Sequence, residues 1–138
     1  MKRVTGIGGV FFKCNDPKSQ LEWYNKHLGF NTDDYGTSFQ WRSNDAPEKQ
    51  CITQWSPFAA DTTYFAPSTK DFMFNYRVEN LEWLLEELKK EGVAIVRELQ
   101  SFEYGKFAHI MDPEGNTIEL WEAVDQVFGV EVKTEMTS

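Results

Sequence analysis

The chain has 138 residues and a formal charge of −8, with 41% hydrophobic and 26% charged residues. That length predicts one domain, 1–138, able to bury roughly 68–70% of its unfolded surface without a disulfide or metal staple. The acidic balance argues against nucleic acid or an anionic membrane surface as partner. No window approaches the ~18 apolar residues of a spanning helix.

Cys14 and Cys51 form no CxxC pair, and no apolar signal-peptide stretch opens the sequence. Two inert thiols and a cytoplasmic protein are expected. The aromatic share is high, 15%, from five Trp, five Tyr and eleven Phe. It predicts a ring-rich core with rings left over to line a cavity or an interface.

In chain order, Gly6 to Cys14 reads as a strand. Asp16 then supplies an N-cap and Pro17 a first helical residue. Leu21, Tyr24 and Leu28 form one apolar stripe, and Gly29 marks the stop. Strands follow at Thr37–Arg42 and Gln50–Trp55, with Pro57 closing the second. Phe58 to Lys70 is a connector without period. Asp71 to Val78 is again a strand, and Asn80 caps a helix striped by Leu81, Leu84, Leu85 and Leu88. Gly92 ends it. Strands at Val93–Leu99, Lys106–Met111 and Thr117–Glu122 complete the pattern, the last two joined by the turn Asp112-Pro113-Glu114-Gly115-Asn116. The two openings superpose at an offset of roughly 63–64 residues, which points to a duplicated unit. The halves run from about 1–63 and from about 68–123, with a tail from 124 to 138.

The stretches Gly9-Val10-Phe11-Phe12-Lys13-Cys14-Asn15-Asp16, Leu21-Glu22-Trp23-Tyr24 and His27-Leu28-Gly29-Phe30 carry a resemblance. So do Tyr104-Gly105 and Asp112-Pro113-Glu114-Gly115-Asn116-Thr117-Ile118-Glu119-Leu120, the most specific part. Together they resemble the vicinal oxygen chelate superfamily of glyoxalases, bleomycin resistance proteins and extradiol dioxygenases. The resemblance implies an α+β fold of two βαβββ modules, whose open, curved mixed sheet carries helices on its convex face and a ligand on its concave face. Alternation along the strands then sends Phe11, Lys13, Met73, Asn75, Arg77, Glu119 and Trp121 toward the cavity.

Metal-using members of that superfamily hold a divalent ion with four side chains. Carried over, the first ligand falls on Gly9, the second near Gln54, the third on Met73 and the fourth on Glu119. Glycine has no donor and a thioether suits these ions poorly, so no catalytic metal and no cofactor are expected. Glu119 and His109, adjacent on the inward face, are the candidate acid–base pair, with Arg77 or Lys13 as possible partners of the carboxylate. Phe11, Gln54, Trp55, Asn75, Arg77 and Trp121 are the candidate ligand-binding residues, with Gln40 and Trp41 as further possibilities. His27, late in a helix where a cation suits the dipole, reads as structural.

The expected function is binding of a small, partly aromatic molecule without a catalytic metal. The alternative is a metal-independent lyase or isomerase using Glu119 and His109, and a metal-dependent glyoxalase or dioxygenase ranks behind both. A homodimer of self-closed chains is also expected, which light scattering of the concentrated protein decides.

Overall fold

A computed structural model describes residues 1–127 of the chain. Strand β1 (Val4–Cys14) leads to helix α1 (Pro17–Leu28), β2 (Thr37–Arg42) and β3 (Lys49–Ala59). The second half repeats the opening with β4 (Phe72–Val78) and α2 (Leu81–Lys90), then adds β5 (Ile95–Phe102), β6 (Gly105–Met111) and β7 (Thr117–Ala123). Two strands thus follow the first helix and three the second. Of the tail, residues 124–127 are described and include the short β8 (Gln126–Val127), which pairs with β3. The rest of the tail lies outside the described residues.

The strands form one open mixed sheet in the order β2-β3-β1-β4-β7-β6-β5. Each half contributes one parallel pair, β1 with β3 and β4 with β7, and the halves meet where β1 runs antiparallel to β4. Pro57 does not close β3, which continues to Ala59. β2 stops pairing at Trp55. Pro57 therefore sits where β3 has β1 on one side and no ladder on the other, a position that tolerates a missing N–H.

Local chemistry sets the helix limits as the sequence implies. The Asp16 carboxylate accepts the Ser19 backbone N–H at 3.1 Å, and Gly29 ends α1 in the left-handed region at φ 70°. The Asn80 side chain accepts from the Trp83 N–H at 3.0 Å to start α2. Both helices lie on one face of the sheet, but they bury different amounts. Leu81, Leu84 and Leu85 of α2 join Val78, Ala108 and Leu120 in the main core cluster. No residue of α1 is buried; it covers Trp55, whose ring lies 4.5 Å from that of Tyr24 and 5.0 Å from that of Phe30. No helix among the described residues is long and apolar enough to cross a membrane.

Candidate functional site

The opposite face of the sheet is crossed by a single rung of paired residues. It runs Ser38, Gln54, Gly9, Asn75, Glu119, His109, Arg97, one residue from each of the seven main strands. Because side chains alternate along a strand, residues in one rung share a face. Above it lies a cavity of about 460 Å³. Phe11, Gln54, Asn75, His109, Glu119 and Trp121 line it, as do Tyr64, Arg97, Tyr104 and Phe107.

The floor is polar and closed to solvent, with Asn75, His109 and Glu119 exposed by only 1%, 1% and 2%. The Glu119 carboxylate organises it. Oε1 accepts from Asn75 Nδ2 at 2.7 Å, Oε2 stands 2.9 Å from His109 Nε2, and the Tyr64 hydroxyl donates to the same Oε2. Burial, together with the adjacent carboxylate, pushes the Tyr64 phenol above its ordinary value, so Tyr64 remains a donor. With Nε2 facing the Glu119 carboxylate, His109 Nδ1 is left as a buried atom without a partner among the described residues, and so is Asn75 Oδ1. Three converging donors hold the carboxylate in place of a countercharge.

The walls are rings. Phe107 and Trp121 stack at 5.7 Å with planes 7° apart, and Phe102 and Tyr104 at 5.4 Å and 6°. Phe11 and Phe58 meet at 5.4 Å deeper in.

Two of the candidate ligand-binding residues lie elsewhere. Trp55 points to the helix-bearing face and packs under α1, because its neighbour in the chain, Gln54, takes the cavity face. Arg77 lies behind Trp121, its guanidinium 5.2 Å from that ring and 5.5 Å from the ring of Trp41, and ion-pairs with Asp125. It is therefore no partner of Glu119, and neither is Lys13, whose ammonium sits 5.6 Å over Phe65. Gln40 and Trp41 do not line the cavity.

Met73 is not the residue that stands between Gly9 and Glu119. Asn75 is, two positions on, because β1 shifts register against β4 by one residue twice, between Val4 and Gly6 and again between Ile7 and Gly9. Met73 is fully buried with Phe11 and Phe65. The residues missed include Tyr64, which the connector delivers, and Arg97, Gln100, Phe102, Tyr104 and Phe107. An aromatic pair, Tyr64-Phe65, inside an otherwise small and polar connector was the available signal.

The donors do not suit a divalent ion. A side chain cannot be restored on β1, since a Cβ at Gly9 would stand 2.7 Å from Phe11 and one at Gly8 2.1 Å from Asn75 Oδ1. Gln54 is engaged with Ser38 and Ser56, and Glu119 with three donors. Among the described residues no group of three or more His, Cys, Asp or Glu is placed to hold a metal. A catalytic site normally needs three such ligands.

The family model of the glyoxalase/bleomycin resistance protein/dioxygenase superfamily matches residues 6–120. The chain belongs to that superfamily. Solved structures similar to this superfamily member include a methylmalonyl-CoA epimerase from Mycobacterium tuberculosis, with TM-score 0.57, 21% identity, and coverage of 90% of this chain and 91% of that one. A variant of Streptomyces coelicolor methylmalonyl-CoA epimerase in complex with 2-nitronate-propionyl-CoA gives 0.62 at 13% identity, covering 88% and 99%. A glyoxalase/bleomycin resistance protein/dioxygenase superfamily member from Vibrio splendidus 12B01 gives 0.54 at 15%, covering 84% and 97%. At these identities the likeness is one of fold. A search of curated protein sequences finds no match.

Proposed function

We propose that this superfamily member binds a small, partly aromatic molecule in its concave cavity without a catalytic metal. One observation carries the reading: a ring-walled cavity of about 460 Å³ ends on a buried Asn75–Glu119–His109–Tyr64 network. Apolar walls with a few fixed polar groups are the usual make-up of a small-molecule site, and this volume falls at the small end of their range. The test is a titration of chelator-treated protein with 2-naphthol, a neutral bicyclic probe, followed by tryptophan fluorescence. Saturable one-to-one binding that Zn²⁺ leaves unchanged is the expected result. Failure to saturate, or saturation only after Zn²⁺, Ni²⁺ or Mn²⁺ is returned, overturns the proposal.

A second reading has its own support. His109 and Glu119 stand 2.9 Å apart, both buried on the cavity floor, an arrangement suited to moving a proton beside a carbonyl in a lyase or isomerase. It requires solvent deuterium to enter the α-carbon of a bound carbonyl compound, and a bound carbonyl that stays unlabelled rejects it.

A further inference from the structure

The mouth of the cavity is formed by β5 and its turn into β6, and β5 carries one residue more than its partner there. Arg97 stands opposite His109, whereas Gln100 stands opposite Phe107, so the register shifts by one between them. In a regular strand, residues three apart point to opposite faces. The bulge cancels that alternation, and both Arg97 and Gln100 line the cavity.

Arg97 is the only Lys or Arg in that lining. None of the ion pairs among the described residues involves it. Among the described residues its side chain meets a ring: the guanidinium lies 5.1 Å from the Tyr64 centroid. This is notable in a chain with 22 acidic and 14 basic residues. The neighbouring carboxylate, Glu98, faces Lys89 instead. Glu119, on the floor, has both oxygens engaged by Asn75, His109 and Tyr64. Among the described residues the cavity therefore presents a cation without an ion-pair partner, exposed to solvent, with an amide beside it at the mouth and rings below.

We propose that Arg97 and Gln100 form an anion subsite, and that the ligand is a small aromatic carboxylic acid that enters ring first and leaves its carboxylate at the mouth. The inference rests on the reading of the cavity as a metal-free binding site. A guanidinium meets a carboxylate with two parallel N–H donors, and the Gln100 amide adds a third. The ring of the ligand lies against the Phe107–Trp121 and Phe102–Tyr104 stacks.

Binding of benzoate, cinnamate and 2-naphthoate, each beside its carboxamide, tests the subsite on chelator-treated protein. At least one carboxylate is expected to bind about tenfold more tightly than its amide, the order of a charge-assisted pair at a partly exposed site. Potassium chloride shrinks that preference. Arg97→Gln abolishes it and Arg97→Lys keeps part of it, each read as the ratio of carboxylate to carboxamide affinity within one variant. Amides that bind as tightly as their carboxylates, or a preference that survives Arg97→Gln, overturn the subsite; if 2-naphthol still binds, the cavity reading stands. If nothing in either series binds, both fall.

Discussion

Glu119→Ala is expected to lower folding stability by about 3–5 kcal/mol, because it takes the acceptor from three buried donors. The carboxylate is the acceptor for Asn75 Nδ2, His109 Nε2 and the Tyr64 hydroxyl, all on the cavity floor. Its removal leaves three donors with nothing to receive them. Each uncompensated buried donor costs roughly 1–3 kcal/mol. Glu119→Gln retains one carbonyl oxygen but turns an NH₂ toward the other donors, so it falls between the unaltered protein and Glu119→Ala. Urea unfolding of the three proteins, compared by midpoint at constant slope, measures the order. A loss below about 1 kcal/mol for Glu119→Ala means that water from the cavity serves the donors, and that the carboxylate does not organise the floor.

Leu81→Ala is expected to cost about 2–5 kcal/mol, while Leu28→Ala stays within about 0.5 kcal/mol. Both are helix leucines on apolar stripes read from the sequence in the same way. Leu81 is 0% exposed and sits among Val78, Leu84, Leu85, Ala108 and Leu120, whereas Leu28 is 56% exposed at the end of α1. The first substitution leaves a cavity that a close-packed cluster fills only in part. The second removes surface that water already reaches. Thermal unfolding of both variants separates the cases, and similar losses from the two would remove the distinction between the helices.

The order of strands and helices was legible because it is written in local signals. Asp16 and Asn80 cap, Gly29 stops a helix, and Gly115 with φ 81° closes the turn after Asp112. Alternation also placed Phe11, Asn75, Glu119 and Trp121 on one face, since period two needs no knowledge of the partner strand. Errors arose where the chain departs from regular pairing. Two one-residue register shifts, at Val4–Gly6 and at Ile7–Gly9, put Asn75 instead of Met73 opposite Gly9. Arg77 keeps the parity of Asn75, yet Trp121 screens it from the cavity and Asp125 holds it. Trp55 faces α1 because Gln54, its neighbour along a regular strand, takes the cavity face. The bulge that turns Gln100 to the cavity has no signature in residue type, and the connector's delivery of Tyr64 depends on how it crosses above the sheet.

The rung beneath the cavity is uneven in kind. On one side of the β1–β4 pairing it holds Ser38, Gln54 and Gly9; on the other it holds Asn75, Glu119, His109 and Arg97. Every ionisable member comes from the second half. The two halves thus contribute unequally, since the second also carries the Phe107–Trp121 and Phe102–Tyr104 stacks. A change in β1–β3 therefore alters the outline of the cavity and leaves the charge of the rung untouched, whereas a change in β5–β7 alters outline and charge together.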